Sequence, residues 1–120
     1  MKVLIVDDNE QVRRLLRDYL PPSVDEVYEC VDGDEALASY QRHRPDWVLM
    51  DWDMPHMDGI VAIHEIMAAF PTARICMVTA FGDEELRDEA LAAGARGVVP
   101  KSSLFELEAI LVDELKPRAE

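Results

Sequence analysis

Positive charge is scarce in this chain. Its 120 residues carry 12 Lys plus Arg against 25 Asp plus Glu, a formal net charge of −13. A polyanion is repelled by such a surface, so nucleic acid is a poor candidate ligand. Only Lys2, Lys101 and Lys116 supply side-chain ammonium groups. No apolar run approaches the roughly 20 residues that a membrane helix requires, and Met1 to Val6 lead straight into structured-looking sequence. Cysteine is equally sparse. Cys30 and Cys76 lie in separate apolar stretches without CxxC spacing, which reads as two reduced core thiols. His43, His56 and His64 form no i,i+4 pair and no HExxH motif, which gives a zinc site little support. The expectation is a cytoplasmic, soluble, acidic protein with no membrane contact.

About half the chain (49%) is apolar, enough for one ordinary core, and the length is that of one domain spanning 1–120. Residues 116–120 read as a tail at which a linker could begin. The apolar pattern changes period repeatedly. Val3 to Val6 form a continuous apolar run closed by Asp7 and Asp8, as in a strand covered on both faces. Asn9 is placed to cap a helix in which Val12, Leu15, Leu16, Tyr19 and Leu20 recur at helical spacing until Pro21-Pro22.

Four further units repeat the alternation. Glu26 to Cys30 predicts a more polar strand, with Asp32-Gly33 turning into a helix along Ala36, Leu37 and Tyr40. Trp47 to Met50 is apolar and ends on Asp51, and Asp58-Gly59 opens a helix along Ile60, Ile63, Met67 and Phe70. Ile75 to Val78 finishes at Thr79, followed by a helix over 83–93 with Gly94 as its C-terminal cap. Gly97 to Val99 predicts a short fifth strand, and Ser103 to Glu106 a capping box that opens the last helix. Strict alternation implies a parallel sheet with helices on both faces. The most polar strand and the shortest suit the two edges, giving order 2-1-3-4-5 with ligands at the carboxyl ends of the central strands.

Those ends carry Asp7-Asp8, Asp51 and Thr79, with Lys101 just beyond the fifth strand. Each alone has an ordinary explanation: a cap pair, a turn aspartate, a strand-end hydroxyl and a solvated charge. Together they place three carboxylates on one edge, facing one hydroxyl and one ammonium. Crowded carboxylates repel unless one takes up a proton or a cation neutralises them. An all-oxygen set suits Mg²⁺. A magnesium ion beside a carboxylate, with Lys and a hydroxyl opposite, is equipment for phosphoryl transfer.

At this point the sequence resembles the receiver domain of two-component response regulators. The motifs are the strand ending in Asp7-Asp8, LMDWDMPHMDG from Leu49 to Gly59, VTA from Val78 to Ala80, and GARGVVPKS from Gly94 to Ser102. The resemblance implies a flavodoxin-like α/β fold, a doubly wound five-stranded sheet in a three-layer α/β/α sandwich. It implies Asp51 as phosphoacceptor from a phosphohistidine on a sensor histidine kinase or phosphotransfer protein. Asp8 would bind Mg²⁺ directly, Asp7 through water, and the Asp53 main-chain carbonyl would complete the protein ligands. Thr79 and Lys101 would each bond a phosphoryl oxygen. Phosphorylation would then shift the surface of helix 4, strand 5 and helix 5, to be read by a downstream effector that the sequence does not identify. Homodimerisation is compatible with this reading.

Four positions depart from the family or tune it. An aromatic residue usually stands three positions before the lysine; here it is Val98, which implies a weaker or differently transmitted switch. Ser102 follows the lysine where the family often has a cis proline. A cis bond without proline costs roughly 2.5–4 kcal/mol, so a trans Lys101–Ser102 bond is expected. Asp53 and Phe81 flank the phosphoryl position and are candidates for setting phosphate lifetime. Competing readings are a phosphorylation-independent scaffold, a magnesium-dependent phosphohydrolase with Asp51 as nucleophile, and a flavin-binding relative of flavodoxin. The last lacks a phosphate-binding loop.

Overall fold

The computed structural model describes residues 1–80 and 82–113. Phe81 and the tail at 116–120, both singled out in the sequence, lie outside the described residues. Five strands, β1 (Lys2–Val6), β2 (Glu26–Cys30), β3 (Trp47–Met50), β4 (Ile75–Thr79) and β5 (Gly97–Pro100), form one sheet. All neighbours are parallel and the order is β2-β1-β3-β4-β5, as expected. The helices are α1 (Glu10–Asp18), α2 (Ala36–His43), α3 (Gly59–Ala69), α4 (Glu84–Ala93) and α5 (Leu107–Asp113). No helix among the described residues is long and apolar enough to cross a membrane.

The strand period of two divides the interior into two layers. Leu4, Val6, Val48, Met50, Ile75 and Met77 face the side covered by α2, α3 and α4. Val3, Ile5, Trp47, Leu49, Cys76 and Val78 face the side covered by α1 and α5. Every one of these is essentially sealed from water, and burying such a side chain contributes about 1.5–3 kcal/mol. The layers differ in composition. Met50, Met54, Met57, Met67 and Met77 all belong to the first, whereas the second is built mainly from Leu, Val, Ile and Trp47. Cys30 and Cys76 are buried free thiols, as read from their surroundings.

Local signals explain most boundaries. Asn9 Oδ1 accepts hydrogen bonds from the Gln11 and Val12 amides at the start of α1. Asp58 and Asp83 likewise cap α3 and α4 through the Val61 and Leu86 amides. Gly94 ends α4 at φ +120°, a region an L side chain rarely adopts. Two expectations are corrected. The apolar stripe of α1 is narrower than its spacing suggests, because Leu15 and Tyr19 are exposed while Leu16 is buried. The capping box at Ser103–Glu106 does not open an α-helix directly. Residues Lys101–Glu106 make 3-10 turns broken at Ser103 (φ −133°, ψ 40°), and α5 begins only at Leu107. Burial of Leu104, Leu107 and Leu111 against the sheet governs that path more than the local box.

Candidate functional site

Sheet register brings the acidic residues together. Val6 pairs with Met50, so the next residues, Asp7 and Asp51, leave adjacent strands side by side. The Asp51 amide donates to the Val6 carbonyl at 2.9 Å, which fixes the step. Met50 pairs in turn with Met77, and Thr79 stands two residues further along β4, buried beside β5. Lys101 follows β5 immediately. One carboxylate oxygen from each of Asp7, Asp8 and Asp51 lies within 4.8 Å of the others. Lys101 Nζ is 3.1 Å from Asp7 Oδ2 and 3.1 Å from Asp51 Oδ1. Four residues expected to converge from the sequence therefore do so, with Thr79 on the neighbouring strand end.

The electrostatics follow from that crowding. Burial and the Asp7 charge push the Asp51 carboxyl up to about 6 from its ordinary 3.8, against the opposing pull of Lys101 and the Trp52 amide. Burial alone would lower the Lys101 ammonium. The Asp51 and Asp7 carboxylates outweigh it and hold the lysine above its ordinary value. Asp7 serves two purposes. Its Oδ1 accepts the Asn9 amide at 2.9 Å, the cap-type role open to it from sequence. Its Oδ2 is sealed from solvent and accepts no hydrogen bond, although Lys101 stands in ion-pair range.

That sealed oxygen, in ion-pair range of Lys101 but without a hydrogen bond, is a test of whether the residues fit a cation, and they do. Three carboxylates against one ammonium leave two negative charges, which one divalent ion balances. The donors are all oxygen and two come from buried carboxylates, a set that suits Mg²⁺. Asp32, Asp34 and His56 form a second convergent group. It differs chemically, because the Asp32 oxygens already accept the Asp34, His56 and Met57 amides.

Comparison with known proteins decides the family. The model of the response regulator receiver domain matches residues 3–111. This chain belongs to the response regulator receiver domain family. The chemotaxis protein CheY of Halobacterium salinarum is 42% identical over 100 residues, covering 83% of each chain. CheY of Bacillus subtilis is 38% identical over 111 residues, covering 92% of this chain and 91% of the relative. Among solved structures, the response regulator domain of Thermotoga maritima CheB superposes with a TM-score of 0.87 at 28% identity, covering 98% of both chains. The CheX–CheY–BeF3–Mg²⁺ complex of Borrelia burgdorferi gives 0.80 at 29% identity, covering 97% of this chain and 90% of the other. Phosphorylation on aspartate and dependence on Mg²⁺ are general properties of receiver domains.

The positions that the resemblance marks as candidates for tuning have these surroundings. Asp53 has an exposed side chain. Val98 is half-buried, pairs with Met77 in the sheet and packs on the methionine-containing layer. Its carbonyl lies 3.5 Å from Arg87 Nη1 of α4. No cis peptide occurs among the described residues, so Lys101–Ser102 is trans, as the cost argument requires. Sequence reasoning treated Asp32 only as a turn residue. It is a buried carboxylate whose backbone donors outweigh the cost of burial and hold it below the usual carboxylate range. The one local signal for it is the Asp-Gly pair; its partners are 24 and 25 residues away.

Proposed function

We propose that Asp51 is the phosphoacceptor of this receiver, taking a phosphoryl group from a phosphohistidine on a sensor histidine kinase or histidine phosphotransfer protein. The observation that carries this reading is the buried Asp51 carboxylate held 3.1 Å from Lys101 Nζ within the Asp7–Asp8–Asp51 cluster. One Asp51 oxygen attacks phosphorus while the phosphorus–nitrogen bond of the donor breaks. Asp7 and Asp8, with Asp51 and the Asp53 main-chain carbonyl, would hold Mg²⁺, which supplies charge neutralisation between carboxylate and incoming phosphoryl oxygens. Lys101 and Thr79 stand ready to bond those oxygens. The acidic cluster in a chain of net charge −13 supports a bound cation as the condition for any anionic donor to approach.

Phosphorylation converts one carboxylate charge into about −1.5 to −2 and adds acceptor oxygens beside Lys101 and Thr79. Thr79 is drawn toward them, and the segment leading to α4 follows. The α4–β5–α5 face then shifts its population of states and is read by a downstream partner. This is a switch phosphorylated once per cycle in the cytoplasm, rather than an enzyme turning over phosphoesters. Incubation with Mg²⁺ and acetyl phosphate should incorporate one phosphoryl group per chain; phosphate-independent partner binding would favour the scaffold reading.

Two expected results belong here. Magnesium binds the ionised Asp51, so its affinity should be flat above pH 7 and fall by up to about tenfold per pH unit below 6. A calorimetric titration between pH 5 and 8 reads this directly. With no ring at position 98, structures with and without a phosphoryl mimic should show no large rearrangement of β5 centred on Val98. A large one would refute the weaker-switch expectation.

A further inference from the structure

The strongest unexplained feature is the joint between the β2–α2 corner and the loop that follows the phosphoacceptor. Asp32 is only 3% exposed, although it carries a charge and lies in a loop. Its Oδ1 accepts the Asp34 amide at 3.2 Å and the Met57 amide at 3.0 Å. Its Oδ2 accepts the His56 amide at 2.9 Å, with His56 Nδ1 at 3.3 Å. The next residue, Gly33, is pressed against the same loop: a Cβ there would meet the Met57 carbonyl at 2.5 Å and the Asp58 carbonyl at 3.3 Å.

The loop is fastened at three points. Gly59 N donates to the Trp52 carbonyl at 2.8 Å and ties its two ends. The Met54 side chain is buried in the core. Asp32 holds the His56 and Met57 amides. Asp53 lies between these anchors. Two adjacent amides captured by one buried carboxylate fix the course of a backbone that has no regular structure of its own.

We propose that Asp32 is a positioning residue for the magnesium site: its carboxylate clamps the 52–58 loop so that the Asp53 carbonyl is presented to the cation held by Asp7, Asp8 and Asp51. This inference rests on the assignment of Asp51 and its cation proposed above. A ligand supplied by main chain has no rotamer of its own, so its aim is set wholly by what holds the loop, and outer partners of metal ligands commonly control affinity about 10–100-fold. Loss of the clamp therefore acts on magnesium binding and not on the transfer step once the cation is bound.

The test is Mg²⁺ affinity by calorimetric titration, beside the magnesium dependence of phosphorylation by acetyl phosphate, measured for the wild type, Asp32→Ala, Asp32→Asn and Asp34→Asn, with the two readouts expected to shift together. Asp32→Ala should raise the half-saturating Mg²⁺ concentration about tenfold or more, while the rate at saturating Mg²⁺ stays within about twofold of wild type. Asp32→Asn keeps one acceptor oxygen and should fall between the two, and it carries the test if the alanine variant does not fold. Asp34→Asn removes an equal charge from the same cleft but no bond to the loop, and should shift half-saturation less than about twofold. If Asp34→Asn matches the Asp32 variants, a field effect explains the data and the clamp is refuted. The clamp is refuted equally by Asp32 variants that lose thermal stability with unchanged half-saturation. Wild-type protein that shows no Mg²⁺-dependent phosphorylation at all would overturn the Asp51 assignment and this inference with it.

Discussion

Asp51→Asn should melt about 10 °C higher than wild type in magnesium-free buffer at pH 7, and should incorporate no phosphate from acetyl phosphate. The first effect follows from the distance between about 6 and the ordinary 3.8 for this carboxyl. At about 1.4 kcal/mol per pKa unit, the ionised group opposes folding by about 3 kcal/mol. An amide of the same shape keeps the packing and an acceptor for the Trp52 amide, yet removes the repulsion from Asp7. One kcal/mol is worth several degrees in a domain of this size. The sign of the pH dependence is fixed by the same numbers. Because the native value lies above the unfolded one, acidification relieves the wild-type protein as pH falls through 6 toward 3.8. The gap between variant and wild type should therefore close over that window, which a series of thermal melts would show. Magnesium should narrow it from the other side by binding the wild type more tightly. A variant that melts below wild type at pH 7 would mean that the Lys101 ion pair outweighs the repulsion.

The second large effect is expected at Gly59, the first residue of α3. A Cβ built there would lie 2.0 Å from the Asp51 carbonyl oxygen, 2.9 Å from its carbon and 3.0 Å from Met50 Cγ. The two nearest obstacles are backbone atoms of Asp51 itself, so nothing flexible can yield. Gly59→Ala should destabilise the domain by about 3 kcal/mol or more and impair phosphorylation, since relief requires moving Asp51 or the start of α3. Gly82→Ala is the matched control. Nothing lies within 4 Å of a Cβ at that position, and its stability should be unchanged or rise by up to about 1 kcal/mol. Denaturant titrations of both variants give the comparison. Equal behaviour would mean that the loop between Asp51 and Gly59 accommodates a methyl group.

Much of this architecture is legible in the amino-acid sequence. Parallel strands buried on both faces must be apolar throughout, and Val3–Val6, Trp47–Met50 and Ile75–Val78 stand out for that reason. A polar residue that ends such a run is unusual, so Asp7, Asp51 and Thr79 announce themselves. What stayed hidden depends on contacts far apart in the chain. Asp32 sits in a pair that any turn would use, and only the folded corner shows it gripping residues 56 and 57. The start of α5 differs from its sequence pattern because Ser103–Glu106 matches a local capping box, while the burial of Leu104 sets the backbone there. Leu15 and Tyr19 fit a helical stripe by spacing, but α1 offers the sheet a narrower face.

The unequal composition of the two interior layers bears on how the molecule deforms. Unbranched thioether chains reshuffle among rotamers at little cost, while branched aliphatics and a sealed indole resist. The pliable padding lies on the flank roofed by α2 to α4, and includes Met54 and Met57 of the loop that follows residue 51. The opposite flank, roofed by α1 and α5, is the stiff one. A strain arising at the strand ends thus meets less resistance on the methionine flank than on the other, with the sheet as the keel between them. Replacing its methionines by leucines would turn a supple hull into a rigid one with the chemistry at residue 51 untouched.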